Sequence, residues 1–250
     1  MTRPLYAVGD IHGHLNWLED VLARIEADGG PDAEIVFMGD YVDRGPDSRG
    51  VVERLRTGVA EGRPWHVLRG NHDRMFCRFV RDGIQHDERI LSGKGWFHPG
   101  LGGVATMASY GVEAVDGGDS AAILAAAQQA VPEDHLAFLE SRDLTFDTGD
   151  KMFVHAGILP GVAMADQDED DLIWIREGFL EVTETFPWLI VHGHTALDHP
   201  EHFGNRIDLD GGAGYGRRLW AAVFEGTDCW LLDQGKRLPL LPNAGRDAAQ

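Results

Sequence analysis

Three short apolar runs near the start of the chain each stop at a glycine followed by polar side chains. Leu5 to Val8 leads into Gly9-Asp10, Ile35 to Met38 into Gly39-Asp40, and His66 to Leu68 into Arg69-Gly70-Asn71. Runs of this length bounded by glycine are the pattern of buried strands. Between the first two lies a stripe at helical spacing, Leu15, Leu18, Leu22 and Ile25, which closes at Gly29-Gly30. Between the second and third, Asp47-Ser48 can cap a helix that carries Val51, Val52 and Leu55. Strand, loop and helix in repetition build right-handed crossovers in a sheet with parallel strands, so the expected fold class is α/β.

The regularity breaks from Arg74 to about Arg142, where a mainly helical insert is expected, with Asp119-Ser120 capping one helix and Pro132 opening another. Strand signals return at Lys151 to Val154 before His155-Ala156-Gly157, and at Trp188 to Val191 before His192-Gly193-His194. Arg206 to Leu209, Leu219 to Phe224 and Cys229 to Leu232 are spaced as an antiparallel meander. The expectation is one domain over 1–238 with the insert at about 74–142, and a C-terminal tail over 239–250.

Charge narrows the range of functions. The 250 residues hold 41 Asp and Glu against 22 Lys and Arg, a formal charge of -19. That is the wrong sign for coating nucleic acid or docking on anionic lipid. A 43% hydrophobic content is too apolar for a disordered acidic chain. Two cysteines, Cys77 and Cys229, read as core thiols in a reducing compartment. No signal core opens the chain and no run approaches the ~20 apolar residues of a membrane helix, so a cytoplasmic location away from membranes is expected.

In open α/β sheets the reactive groups gather on loops beyond the carboxyl ends of the strands. Here those loops hold Asp10, His12, Asp40, Asp43, Arg44, Asn71, His72, His155 and His194. Carboxylate, imidazole and amide oxygen without thiolate is the donor set of borderline-to-hard divalent ions. If the loops converge, the two oxygens of Asp40 can serve two ions.

The motifs GDIHGH, GDYVDRG, GNHD, HAG and HGHT, in order between Gly9 and Thr195, closely resemble the signature of the phosphoprotein phosphatase family within the calcineurin-like metallophosphoesterases. Bacterial and phage serine/threonine phosphatases and symmetrical diadenosine tetraphosphatases share it. The resemblance covers roughly residues 5 to 225 and implies a four-layer α-β-β-α sandwich of two mixed sheets, with a dimetal site at one edge. It implies that Asp10, His12 and Asp40 hold one ion and that Asp40, Asn71, His155 and His194 hold the other. The ions would be Mn²⁺ first, with Fe, Zn or Co permitted by the ligands. It further implies attack by a metal-bridging hydroxide, protonation of the leaving oxygen by His72 with Asp43 fixing its tautomer, and phosphoryl binding by Arg44, Arg176 and Asn71. Arg176 lies in LIWIREGF, which looks like the Trp-x-Arg stretch of the phage and bacterial members. Two departures stand out: Asp73 replaces the glutamate of much of the family, and Asp210-Gly211-Gly212 stands where many relatives have Asp-Thr-Gly.

The resemblance makes hydrolysis of phosphoserine or phosphothreonine proteins the leading expectation. Symmetrical cleavage of diadenosine tetraphosphate, which needs a pocket for bases and extra phosphates, is the alternative, and a catalytically dead binding scaffold a minor one. Either substrate is anionic, so Arg44, Arg176 and the metals must overcome the field of a very acidic protein. Outside these motifs, His14 reads as a rim residue, His192 as packing or support for the site, Gly93-Lys94-Gly95 as a turn, and Asp166 to Asp171 as a solvated loop, with repulsion of acidic substrates or adjustment of a peptide's pose as its other use. Trp96, Phe97 and Trp174 read as core, with stacking on a base as their other use.

Overall fold

The computed structural model describes residues 3–243. The chain opens with β1 (Leu5–Val8), α1 (Leu15–Gly29), β2 (Glu34–Phe37), α2 (Ser48–Ala60) and β3 (Trp65–Val67). Four helices follow: α3 (Asn71–Asp82), α4 (Gly103–Ser109), α5 (Ser120–Ala130) and α6 (Glu133–Glu140). Then come β4 (Thr145–Asp147), β5 (Lys151–Val154), α7 (Glu169–Trp174), β6 (Leu189–His192), β7 (Glu201–His202) and β8 (Arg206–Asp208). The last strands are β9 (Ala221–Glu225), β10 (Asp228–Asp233) and β11 (Lys236–Pro239).

The strands form two mixed sheets, ordered β11-β10-β9-β1-β2-β3 and β4-β5-β6-β8-β7. In the first, β1, β2 and β3 run parallel and β9 lies antiparallel to β1. In the second, β5, β6 and β8 run parallel between antiparallel edge strands. Period-two alternation divides each strand between two cores. Tyr6, Val8, Ile35 and Phe37 face the helices, whereas Ala7, Val36 and Met38, with Ala222 of the same sheet, face Phe153, Val191 and Ile207 of the opposing sheet. Met152, Val154 and Ile190 point the other way, onto Leu172, Ile173 and Phe179 around α7. The result is the expected sandwich of two sheets with helices outside each.

Local sequence accounts for the helices. Helix α1 buries Leu18, Val21, Leu22 and Ile25 on one face, and Asp47 caps α2 by accepting from Gly50 N–H at 2.8 Å. Asp119 caps α5 through the N–H groups of Ala121 and Ala122, and Pro132 stands at the start of α6.

Three expectations are corrected. Arg206–Asp208 is not part of the C-terminal meander, because β8 pairs parallel to β6 in the other sheet while only β9, β10 and β11 form the meander. The segment from Pro239 is no loose tail as far as Asn243. Pro239 pairs with Trp230, Leu240 N–H donates to Cys229 and Asn243 N–H to His202, so sheet hydrogen bonds hold it. Residues 244–250 of the expected tail lie outside the described residues. The acidic run is not a solvated loop. Asp168 caps α7, Glu169 pairs with Arg69 at 2.7 Å and Asp170 with Arg74 at 2.5 Å, tying the α7 face to the base of α3. No helix among the described residues is long and apolar enough to cross a membrane.

Candidate active site

The parallel strands of both sheets end at one edge of the sandwich, and the loops leaving β1, β2, β3, β5, β6 and β8 meet there. The turns are tight. Among the described residues, six non-glycine residues have positive φ, and five of them are His12, Asp40, Asp43, Arg44 and His194. Backbone held in the left-handed region costs about 1–3 kcal/mol per residue and concentrates where function over-determines geometry. Glycine makes the convergence possible. Gly39 has φ 103°, and a Cβ there would stand 2.7 Å from His155 Nδ1; a Cβ on Gly70 would stand 2.2 Å from Asp40 Oδ1.

Asp40 lies at the centre. Its Oδ1 stands 3.4 Å from His155 Nε2, and its Oδ2 stands 3.7 Å from His12 Nε2 and 4.0 Å from His72 Nε2. Two groups of potential ligand atoms therefore share this carboxylate: His12, Asp40 and His72, and Asp40, His155 and His194, with each group's atoms within 4.8 Å of one another. Asp10 sits slightly apart from the first group, its carboxylate accepting from His194 N–H at 3.1 Å. Asn71 joins the second group, with Oδ1 at 2.9 Å from His155 Nε2.

The donor chemistry fits cations. His12 Nδ1 is committed to the Val42 carbonyl at 2.9 Å and His155 Nδ1 to that of Met38 at 2.8 Å, so the Nε2 lone pairs of both face the centre. The His155 lone pair and the Asn71 amide oxygen are two acceptors aimed at one space. His194 Nε2 is buried without a partner among the described residues. A guanidinium already exploits this concentration of lone pairs, since Arg44 Nη1 lies 2.5 Å from His12 Nε2 and Nη2 3.2 Å from His72 Nε2.

Electrostatics point the same way. Burial, joined by repulsion from Asp210, Asp40 and Asp208, pushes the Asp10 carboxyl well above the usual carboxylate range. Burial also raises Asp40 to about 7, and Asp208 and Asp210 upward. Burial holds His12 and His194 well below the ordinary imidazole value and His155 near 4, which leaves these rings neutral; it lowers His72 as well, so a proton on His72 Nε2 has to be stabilised by the Asp43 carboxylate. Neutral imidazoles beside carboxylates that repel one another are stabilised by bound divalent charge.

His72 is held differently. Its Nδ1 meets Asp43 Oδ2 at 2.6 Å, which leaves Nε2 toward the cleft. Asp43 is fully buried, and burial lifts its carboxyl to about 7 despite donors from Thr106 at 2.6 Å and Trp96 Nε1 at 2.8 Å. The cleft itself measures about 260 Å³. Its walls include Arg44, Arg89 and Arg176 as cations, and Trp174, Leu101 and Tyr215 as apolar surface. Arg176 is anchored by Nη2 donating to the His194 carbonyl at 3.1 Å.

Sequence reasoning missed several supports. Asp73 accepts from Gly70, Asp40 and Tyr41 N–H groups, each at 2.9 Å, and so fixes the Asp40 loop on the first turn of α3. Its position three residues after the cap at Gly70 is a capping signal legible in the sequence. Trp96 and Thr106 reach Asp43 only through tertiary packing, which no local pattern announces. Asp210 and Arg89 also line the cleft unannounced. His192 is buried against Arg206 at 3.2 Å, His14 stacks on Trp17, and both cysteines are buried and free.

A sandwich of this kind with such a site defines a metallophosphoesterase. The model of the calcineurin-like phosphoesterase family matches residues 3–215, and the chain belongs to that family. It is 41% identical over 68 residues to a symmetrical bis(5'-nucleosyl)-tetraphosphatase of Janthinobacterium sp. (strain Marseille), a stretch covering 27% of this chain and 23% of that protein. It is 35% identical over 96 residues to serine/threonine-protein phosphatase 1 of Salmonella typhimurium, covering 38% of this chain and 41% of that protein. These matches thus span less than half the length of either relative. A solved structure described as a candidate diadenosine tetraphosphatase superposes with a TM-score of 0.63 over 98% of this chain and 96% of its own, at 24% identity.

Proposed function

We propose that the chain hydrolyses phosphate esters and anhydrides with two bound divalent cations, and that His72 is the acid that protonates the leaving oxygen. The observation that carries this reading is the buried His72–Asp43 pair at 2.6 Å, with His72 Nε2 4.0 Å from Asp40, the carboxylate common to both groups of potential ligand atoms. In this reading His12, Asp40 and Asp10 hold one ion, and Asp40, Asn71, His155 and His194 hold the other. Mn²⁺ is the first candidate for a donor set of oxygen and neutral nitrogen. When bound, such a pair lowers the pKa of water from 15.7 towards ~7 and so supplies the nucleophile at neutral pH.

The remaining work falls to the chain's own side chains. Asp43 fixes the His72 tautomer and supports the imidazolium, while Trp96 and Thr106 stop Asp43 from turning. Arg44 and Arg176 take phosphoryl oxygens in the planar, bidentate manner of guanidinium, and the Asn71 amide, which also lines the cleft, donates to the same group. The working compartment is the cytoplasm, in keeping with two free thiols.

For the substrate, the third arginine on the cleft wall favours the phosphoanhydride class over the phosphoprotein that leads the sequence expectation. A phosphomonoester is fully served by Arg44 and Arg176, whereas a dinucleoside tetraphosphate brings further phosphates for Arg89 and bases for the Trp174 and Tyr215 surfaces. Side-by-side assays with Mn²⁺ on a phosphoserine peptide and diadenosine tetraphosphate test this choice. Faster turnover of the dinucleotide is expected, and exclusive turnover of the peptide overturns it.

A further inference from the structure

The arginines around the cleft differ in how completely they are neutralised. Arg74 contacts three carboxylates, those of Asp87, Glu169 and Asp170, and Arg78 contacts Asp87 and Glu88. Arg89 meets only Asp171, at 3.5 Å, beyond normal hydrogen-bond length, and its side chain is 40% exposed on the cleft wall. Its backbone is nonetheless fixed. Arg89 N–H donates to Asp87 Oδ1 at 3.1 Å, Ile90 N–H to the Asp87 carbonyl at 2.9 Å, and the buried Asp87 is itself clamped by Arg74 and Arg78. A guanidinium on a rigid turn, facing the cleft and loosely paired, is a ready anion site.

We propose that Arg89 binds the phosphate adjacent to the phosphoryl group under attack, with Asp171 as the internal carboxylate that this phosphate displaces. The inference rests on the phosphoesterase reading above and deepens it. Asp171 explains why the occupant is a phosphate rather than a substrate carboxylate. An incoming carboxylate exchanges one single charge for another with no electrostatic gain, in a protein of formal charge -19. The neighbouring phosphate of a polyphosphate chain offers two free oxygens to the guanidinium fork and is bonded directly to the phosphoryl group held by Arg44 and Arg176, so it meets Arg89 at high effective concentration and wins the exchange. The pair then discriminates against acidic peptides while admitting phosphate chains.

The test is calorimetric binding to the Mn²⁺-loaded full chain, with non-hydrolysable phosphonate analogues standing for pyrophosphate and for the phosphoserine peptides, so its outcome is independent of turnover. Arg89→Ala is expected to weaken pyrophosphate binding about tenfold, the worth of one charge-assisted contact, and orthophosphate binding less than threefold. Arg89→Lys keeps the charge and should recover part of the loss. Asp171→Asn should tighten pyrophosphate binding, an opposite-signed effect that misfolding cannot imitate. Phosphoserylglutamate and phosphoserylalanine should respond alike to Arg89→Ala. Equal weakening of orthophosphate and pyrophosphate, looser binding in Asp171→Asn, or a selective loss for the glutamate peptide would each overturn the assignment. Absence of phosphoester turnover with normal pyrophosphate discrimination would instead strike the proposed function and leave Arg89 standing.

Discussion

His72 meets Asp43 across 2.6 Å, and that carboxylate also collects Trp96 Nε1 at 2.8 Å and Thr106 Oγ1 at 2.6 Å. Three elements distant in sequence thus fix one imidazole with Nε2 toward the cleft. His72→Asn removes the acid and leaves the proposed ligands Asp10, His12, Asp40, Asn71, His155 and His194 in place. Turnover of p-nitrophenyl phosphate should fall by a factor of ~10² to 10⁴, the reach of general acid catalysis. Metal content measured by atomic emission should stay at the wild-type level.

The buttress of Asp43 predicts a graded series. Trp96→Phe keeps most of the ring volume and removes one donor from a buried carboxylate. Loss of that hydrogen bond should cost about 1–3 kcal/mol of stability in urea denaturation. The turnover number should fall with little change in KM, because the defect lies in the orientation of His72. An increase in KM alone would mean that Trp96 acts on substrate binding instead.

Much of this site is legible in the sequence. The runs Leu5–Val8, Ile35–Met38 and Lys151–Val154 are strands because each is short, apolar and stopped by residues that only a tight turn accepts. Their loops carry Asp10, Asp40 and His155 to one edge because parallel strands must all end on the same side. Arg206–Asp208 defeated the same logic. A strand of three residues carries no parity or direction signal of its own, and its partner β6 is chosen by the Phe153–Val191–Ile207 core rather than by its neighbours in sequence. The roles of Trp96 and Thr106 were silent for a related reason: each acts on Asp43 from at least 53 residues away in sequence, through packing that no local pattern announces.

The crowding of Asp10, Asp40, Asp208 and Asp210 predicts that divalent cations stabilise the fold. A ligand present at one hundred times its dissociation constant adds about 2.7 kcal/mol. Mn²⁺ should therefore raise the melting temperature and a chelator reverse the shift. Asp40→Asn should bind less metal and lose most of that increment; the full thermal response in this variant would contradict a shared ligand.

Glu53 gives a pH dependence remote from the metals. Arg56, His135 and Thr57 hydrogen bonds hold its carboxyl down at about 2, against an ordinary value of 4.5. A depressed folded value stabilises the protein above pH 4.5 and the contribution is lost as pH falls through 2. Half-exposed pairs of this kind are worth under about 1 kcal/mol after solvent screening. Glu53→Gln should therefore lower the urea midpoint slightly at pH 7, with the difference from wild type vanishing toward pH 2.

The most direct test of the account is metal reconstitution. Protein stripped by exhaustive dialysis against chelator is titrated with Mn²⁺ while p-nitrophenyl phosphate hydrolysis is followed. No turnover is expected in the stripped protein, with recovery that saturates near two ions per chain, as the two ligand groups sharing Asp40 require. Turnover that survives stripping, or that saturates at one ion, would contradict it.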